Sequence, residues 1–202
     1  MTLISVIIPC KNEPYLNQLI NEINNYLTYP HEILVQTEPG LTPAVLCGVE
    51  KSKGTIVVVM DADGSHNPKS LNKVVDLART YPVVVGSRYV RGGASKDSPA
   101  RQVLSLLFCK VARAGLRLEI KDPMSGFVAV ERRVFDKVRL KSSGYKFALE
   151  LIVKSNGRFK IFEQPIVFER RKMGASKTGV KEGIETILFV LMLCLRKISH
   201  KN

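Results

Sequence analysis

The chain has 202 residues, 45% of them hydrophobic, and its 31 Lys plus Arg against 18 Asp plus Glu give a formal net charge of +13. That length supplies one well-cored domain and is short for two. The cationic surplus favours polyanionic partners, be they nucleic acid, phosphorylated small molecules or an anionic membrane face, but with 7% aromatic residues and no Trp a nucleic-acid reading rests on charge alone and is set aside.

In chain order, residues 3–8 (LISVII) predict a buried strand, followed by a helix opened by Pro14 with Leu16, Leu19, Ile20, Ile23 and Leu27 on one stripe. Residues 33–35 predict a short second strand, and Thr42 is placed to cap a helix with Pro43 in its first turn, running to about Lys51. A third strand over 55–60, a helix started by Asn67 and Pro68 with Leu71, Val74, Val75 and Leu77, and a fourth strand over 83–85 complete the first half. Strands alternating with helices predict an α/β fold, a single domain with a mostly parallel central sheet and helices on both faces.

The second half is less regular. Residues 91–99 (RGGASKDSP) read as a loop, helices are expected at 99–113, 131–138 and 145–156, and strands around 127–130 and 159–168. The stretch 180–198 contains ILFVLMLCL, an uncharged core about half as long as the ~20 residues a membrane span needs. It reads as an appended core or interfacial helix, which divides the chain into a domain over 1–178 and a C-terminal apolar segment over 179–202.

The 4 cysteines, Cys10, Cys47, Cys109 and Cys194, sit apart in apolar runs without a CxxC pair and read as reduced core residues of an intracellular protein. The N-terminal MTLISVIIP lacks a basic n-region and meets a proline too early for a signal peptide, so a cytoplasmic location is expected.

The third strand runs into VVVMDADGSHNP and delivers Asp61 and Asp63 where the chain must turn. In open α/β sheets, ligands bind beyond the carboxyl ends of the strands. With Gly64 permitting a turn, two carboxylates one residue apart can converge on a hard divalent cation, and Mg²⁺ takes one or two carboxylates plus substrate phosphates. Asp-x-Asp alone is common in plain surface turns, so its context decides. No GxGxxG follows the first strand and no GxxxxGK precedes a Ser or Thr, which removes the dinucleotide and P-loop readings. His66 has no second His or Cys at ligand spacing and reads as structural.

Around the acid pair stand PCKNE (9–13), GSRY (86–89), RQVLS (101–105), DPMSGF (122–127), GYKFALEL (144–151) and FERRKMGASK (168–177). In this order the motifs resemble the family 2 glycosyltransferases of GT-A (Rossmann-like) fold, and among them the polyprenyl-phosphate sugar transferases of the dolichol-phosphate mannosyltransferase type, over nearly the whole stretch from Ser5 to Lys177.

The resemblance implies roles residue by residue. Pro9 and Glu13 match an element that lies against the nucleotide base and ribose, and Asp61 and Asp63 match a D-x-D whose Mg²⁺ or Mn²⁺ bridges to the donor diphosphate, with Ser65 at a metal-side position. Arg88 matches an arginine of the donor and acceptor-phosphate region, Arg101 and Ser105 an R-x-x-x-S element facing the acceptor phosphate, and Arg171 with Lys177 a basic loop that closes over phosphates. Asp122, Ser125 and Gly126 match a motif near the sugar, and Tyr145 with Glu150 a conformationally linked helix, Glu150 counting as sugar-proximal. Asp63, Arg88 and Arg101 form the expected catalytic set.

The implied activity is inverting transfer of a hexose, foremost mannose from GDP-mannose, to a dolichyl or polyprenyl phosphate at the cytoplasmic face of a membrane. The residue types suit it: a leaving diphosphate needs a cation and guanidinium donors set in place beforehand, and an acceptor phosphate already ionised at neutral pH needs no general base. A different donor such as UDP-glucose, a different acceptor, and a non-catalytic nucleotide- or lipid-binding homologue stand as alternatives. Plain readings also stand: Arg170, Arg171, Lys172 and Lys177 as a solvated loop, Arg88 in a surface salt bridge, Glu150 as an exposed helical acid.

Three positions depart from the family pattern. Thr37-Glu38-Pro39-Gly40 stands where relatives carry an acidic turn, Lys11 where the residue is often aromatic, and Cys109 where an Asn is frequent. The apolar run 187–195, bracketed by Lys181, Arg196 and Lys197, suits a helix on a bilayer surface.

Overall fold

The computed structural model describes residues 2–141, 147–172 and 192. Its strands are β1 (Ile4–Pro9), β2 (His31–Gln36), β3 (Ile56–Val59), β4 (Val83–Ser87), β5 (Ala94–Ser95), β6 (Val128–Glu131), β7 (Ile161–Pro165) and β8 (Val167–Phe168). The helices are α1 (Leu16–Tyr26), α2 (Leu41–Lys51), α3 (Leu71–Ala78), α4 (Pro99–Leu116), α5 (Arg133–Lys137) and α6 (Phe147–Ser155).

Six strands form one sheet in the order β2-β1-β3-β6-β4-β7, and β5 pairs with β8 apart from it. β1 runs parallel to β2 and β3, and β4 parallel to β7, whereas β6 is antiparallel to both β3 and β4. The parallel sheet is therefore interrupted by one reversed strand at its centre.

Strand alternation divides the core into two layers. On one face Ile4, Val6, Ile8, Ile56, Val58, Met60 and Val84 meet Leu19 and Ile23 of α1 and Leu71, Val74 and Val75 of α3. On the other, Ile7, Val57, Val59, Val83, Val85 and Val128 meet Val45 of α2, Ala112 and Leu116 of α4, Val134 of α5, and Phe147, Leu151 and Ile152 of α6. Burial on both sides explains why β1, β3 and β4 are near-continuous Val and Ile runs rather than alternating ones.

Several expected boundaries are corrected. Gly40, with φ +97°, stands at the N-cap of α2, and Thr42 is buried inside the first turn, because only a left-handed residue brings the chain out of β2 at that angle. The expected strand over 159–168 is two strands: the Ile166 N–H bonds back to Ser87 at 3.0 Å while its carbonyl accepts from Ala94 at 2.9 Å, so the chain passes there from the main sheet to the small one. Residues 94–95 of the expected loop are the partner strand.

Cys10, Cys47 and Cys109 are free thiols; Cys10 and Cys109 are buried, and Cys47 is half-buried. Tyr145, Lys177 and the expected C-terminal segment over 179–202, Met192 apart, lie outside the described residues. Among the described residues, no helix is long and apolar enough to cross a membrane.

Candidate active site

The parallel strands bring their carboxyl ends to a common edge: Pro9 lies opposite Gln36, and Ile7 opposite Val59, with the Met60 N–H bonded to the Ile7 carbonyl at 3.2 Å. The chain after β3 then turns at Gly64, whose φ of +76° is a left-handed conformation, and where a Cβ would come within 2.7 Å of the Tyr15 ring.

That turn sets the two acids in different environments. Asp63 is 6% exposed, and its Oδ1 accepts from the Ser65 amide at 2.9 Å and from the Ser65 hydroxyl at 2.5 Å. Its Oδ2 lies 2.9 Å from Nη2 of Arg171, whose Nη1 is 3.7 Å from Glu13. Ser65, expected on the metal side, is buried behind Asp63 and orients that carboxylate through its hydroxyl.

Asp61 is more open, its side chain 42% exposed, and no hydrogen bond reaches its carboxylate among the described residues; His66 Nδ1 stands 3.9 Å from Oδ2. Although partly open to solvent, this carboxyl is surrounded by enough protein that desolvation pushes its pKa above the ordinary value. The charges of Asp63 and Glu13 add to the rise, while His66 and Arg171 oppose it.

His66 is structural in a specific sense. It is 1% exposed, its ring stacks on Phe127 at 5.3 Å and meets Phe168 edge-on at 5.5 Å, and its Nδ1 accepts the Asp61 amide N–H at 3.1 Å. An accepting Nδ1 puts the proton of the neutral ring on Nε2. Sequence reasoning passed over this role, since a contact from a ring nitrogen to a backbone amide leaves no spacing signature.

A basic strap crosses the turn. The Glu169 amide donates to the Ser65 carbonyl at 2.9 Å and the Lys172 amide to the Asp63 carbonyl at 3.0 Å, which aligns residues 169–172 beside 63–65 and aims Arg171 at Asp63. Lys172 reaches Glu22 at 3.2 Å and the Tyr15 hydroxyl, with its ammonium 4.6 Å above the Tyr15 ring.

Beside the acids, Asp61, His66, Arg88, Met124, Ser125, Gly126 and Phe168 line a pocket of about 120 Å³. Gly126 brings the backbone close to the acids: a Cβ on it would stand 3.2 Å from Asp61 Oδ2, a tight contact that would press on that carboxylate. Ser125 donates to the Gly86 carbonyl at 2.5 Å and thereby ties the 122–127 turn to the end of β4.

Arg88 and Asp122, expected separately at phosphate and sugar, are partners. Arg88 donates from Nε and Nη2 to the two Asp122 oxygens, each at 2.7 Å, and from its backbone amide at 2.9 Å. Hydrogen bonding and the charge of Asp122 hold the Arg88 guanidinium protonated well above its ordinary range, even though burial works against it. Cys109 turns its thiol to Asp122 at 3.6 Å, and burial pushes that thiol up to about 12.

Other expected residues lie outside this cluster. Glu150 is 2% exposed, accepts from the Lys141 amide at 3.0 and 3.1 Å, and pairs with Lys154 at 2.6 Å, so it ties α6 to Lys141, and it is not among the residues that line the pocket. A buried carboxylate must find donors, and Lys154 of its own helix and the Lys141 amide are two of them. Arg101, in the first turn of α4, is half-exposed and 3.8 Å from Asp97; Ser105 follows one turn later, half-buried. Pro9 ends β1. At the end of β2, Glu38 accepts from the Cys47 thiol at 2.9 Å and faces Lys51 at 3.8 Å, and the thiol contact lowers its pKa.

The model of one protein family, glycosyl transferase family 2, matches residues 32–139, more than half of the chain. The chain belongs to glycosyl transferase family 2. This family 2 chain is 31% identical to a dolichol-phosphate mannosyltransferase of Pyrococcus furiosus, over 94% of its own length and 63% of the relative's. It is 35% identical to the dolichol-phosphate mannosyltransferase of Saccharomyces cerevisiae, over 86% of its own length and 68% of the relative's. A polyprenol monophosphomannose synthase of Mycolicibacterium smegmatis is 35% identical over 70% of this chain and 57% of its own. The family 2 chain thus spans between about half and two thirds of these relatives. Among solved structures, glucosyl-3-phosphoglycerate synthase from Mycobacterium tuberculosis, in complex with Mn²⁺, UDP-glucose and phosphoglyceric acid, superposes with a TM-score of 0.75 at 18% identity, covering 96% of this chain and 80% of that one. That likeness is of fold, and it agrees with the GT-A architecture expected from the motifs.

Proposed function

We propose that this chain is the catalytic part of a polyprenyl-phosphate mannosyltransferase, moving mannose with inversion from GDP-mannose to a dolichyl or polyprenyl phosphate at a cytoplasmic membrane face. The observation that carries the reading is the Asp63, Arg171 and Glu13 cluster, in which a buried acid of the D-x-D turn meets the guanidinium of a basic strap. Such a site joins a cation-binding carboxylate to a phosphate-binding arm. The names of the relatives supply the sugar and the lipid class.

The residues fit a divalent cation. Asp61 offers a carboxylate without a hydrogen bond among the described residues, Asp63 is oriented by Ser65, and the donors are hard oxygens on one turn. Mg²⁺ or Mn²⁺ held by two carboxylates would complete its shell with water and substrate phosphate. Bound there, the cation supplies charge neutralisation for the departing diphosphate.

The remaining steps belong to the chain. Arg171, with Lys177 in the same basic segment, takes phosphate oxygens once the acids have a cation. Arg101 and Ser105 meet the acceptor phosphate, whose ionised oxygen attacks the anomeric carbon as the nucleoside diphosphate leaves. Arg88 and Asp122 fix the floor of the sugar pocket. The nucleoside lies along Pro9 and Glu13 toward Glu38, two strands and so about 10 Å from the acid turn. Residues 1–178 form the catalytic domain in this reading, and 179–202 an interfacial segment.

The turn Thr37-Glu38-Pro39-Gly40 favours one second reading, the same transfer with another nucleotide-sugar donor such as UDP-glucose. Calorimetric titration with GDP-mannose, GDP, UDP-glucose and UDP, each with Mn²⁺ and with EDTA, separates the two. Metal-dependent binding of guanine nucleotides alone, followed by mannose transfer to polyprenyl phosphate, is the expected result. Uracil-nucleotide binding selects the second reading, and binding of neither overturns both.

A further inference from the structure

Lys172 reads in the sequence as one cation of a solvated loop, yet its ammonium is held from several sides. It donates to the Tyr15 hydroxyl, lies 3.2 Å from Glu22 Oε1 and stands 4.6 Å from the centre of the Tyr15 ring. The Tyr15 hydroxyl in turn donates to the same Glu22 oxygen. A phenol has one proton to give and lone pairs to accept with, so the series from Lys172 through Tyr15 to Glu22 uses each group in its ordinary sense. Tyr15 is the N-cap of α1 and Glu22 follows seven residues on, about two turns along the same face, so one helix presents both to the strap.

Tyr15 is 2% exposed and belongs to the same core layer as Leu19 and Ile23, which makes its ring a fixed platform. Gly64 of the acid turn lies against that ring: a Cβ on it would meet Tyr15 Cε1 at 2.7 Å and Lys172 Cδ at 3.1 Å. One side chain therefore supports both the turn that carries Asp63 and the strap that carries Arg171. The two are also joined directly, because the Lys172 amide donates to the Asp63 carbonyl at 3.0 Å. Arg171, the neighbour of Lys172, then places Nη2 2.9 Å from Asp63 Oδ2 and Nη1 3.7 Å from Glu13.

We propose that Tyr15 and Glu22 are positioning residues: they dock the Lys172 ammonium and thereby hold Arg171 over the acid turn before a donor binds. The use of this dock rests on the transfer reading above, in which Arg171 takes phosphate oxygens. An arginine loses rotamer freedom when it grips a ligand, and fixing its backbone beforehand removes part of that cost. An ammonium over a buried ring, beside a carboxylate only 22% exposed, is attracted more strongly than the same pair in open water. Tyr15 and Glu22 act on the donor through Lys172 and Arg171, which gives their removal a distinctive pair of signs. Guanidinium and cation contend for Asp63, so a loosened strap favours the bare cation and disfavours the nucleotide.

The test uses the full chain, with Tyr15→Phe and Glu22→Gln each made alone and in an Arg171→Ala background. Electron paramagnetic resonance reads binding of Mn²⁺ alone, and calorimetry reads Mn²⁺-dependent binding of GDP-mannose. Both single variants are expected to tighten Mn²⁺ alone by about twofold and to weaken GDP-mannose by about three- to fivefold. The sign for Glu22→Gln is decisive, because loss of a carboxylate acting only through its charge would weaken Mn²⁺. In the Arg171→Ala background neither substitution is expected to change either affinity, since both act through that residue. Undiminished effects in that background overturn the proposal, as do unchanged affinities in the single variants. A fall in melting temperature with both affinities unchanged also overturns it and leaves the cluster a structural tie. The Mn²⁺ measurement needs no sugar nucleotide, so a wild type that binds Mn²⁺ but no GDP-mannose overturns the transfer reading while the dock is still decided. A wild type that binds no Mn²⁺ overturns both.

Discussion

Arg88 and Asp122, 34 residues apart in the chain, close a two-pronged ion pair with both contacts at 2.7 Å, the aspartate fully buried and the arginine side chain 11% exposed. The pair joins the end of β4 to the 122–127 turn, and Glu163 of β7 grips the same turn through the Lys121 and Asp122 amides at 2.7 and 2.9 Å. Removing one partner strands the other charge in the interior. Asp122→Asn is therefore expected to cost about 3 kcal/mol of unfolding free energy in urea titration. Arg88→Lys is expected to recover little, because an ammonium cannot reproduce the planar fork.

Arg171 Nη2 lies 2.9 Å from Asp63 Oδ2, so guanidinium and a divalent cation would contend for the same carboxylate. Arg171→Ala is expected to tighten binding of Mn²⁺ alone by roughly two- to fivefold, the scale of a partly exposed ion pair. The same substitution is expected to weaken Mn²⁺-dependent GDP-mannose binding by about tenfold, since a phosphate contact is lost. Electron paramagnetic resonance of free Mn²⁺ and calorimetry read the two opposite signs.

His66 positions Asp61 by accepting its amide N–H. His66→Ala is expected to lower Mn²⁺ affinity by about ten- to a hundredfold, as loss of an outer-shell support does. His66→Asn, whose side-chain oxygen can accept the same N–H, is expected to recover part of that loss. Melting temperatures of both variants separate the loss of ring packing on Phe127 and Phe168 from the effect on the metal.

Glu32 of β2 accepts from the Ser5 hydroxyl at 2.6 Å and the Lys53 amide at 2.5 Å. Desolvation raises its pKa, but these hydrogen bonds outweigh it and bring the carboxyl below the ordinary 4.5. A folded pKa below the unfolded one means that the ionised form stabilises the fold above pH 4.5, and that the stabilisation fades as pH falls through the lower folded value. Wild type is expected to be more stable than Glu32→Gln by a constant margin from pH 8 to about 5, with the margin shrinking below pH ~4. Thermal melts across that range measure it.

Much of the fold was legible in the sequence. β1, β3 and β4 are Val and Ile runs because strands covered on both faces need no alternation, and α1 and α3 carry their stripes at helical spacing. The direction of β6 was not legible, since a strand buried on both sides has the same pattern whichever way it runs. The break between β7 and β8 was hidden for a related reason: Ile166 is apolar whether it continues one sheet or crosses to another.

The site divides in the same way. Asp61, Asp63, Gly64 and Gly126 were readable because turn chemistry and motif order are local, and Arg171 because a run of cations stands out. What the residues do to one another was not local. Spacing did not show that Glu150 accepts from the Lys141 amide and pairs with Lys154, nor that Ser65 donates its hydroxyl to Asp63.

By itself the sequence determined the kinds of chemistry available: two hard carboxylates at a strand end, a surplus of guanidinium and ammonium groups, and enough apolar residues for a two-layered core. These are properties of composition and short-range spacing, and they survive without coordinates. Only the tertiary structure decided which charge faces which, placing Asp122 on Arg88, Arg171 on Asp63 and His66 under Asp61, and leaving one face of α4 apolar toward solvent. Each of these depends on contacts between segments far apart in the chain, where burial and direction, and not spacing, set the energy.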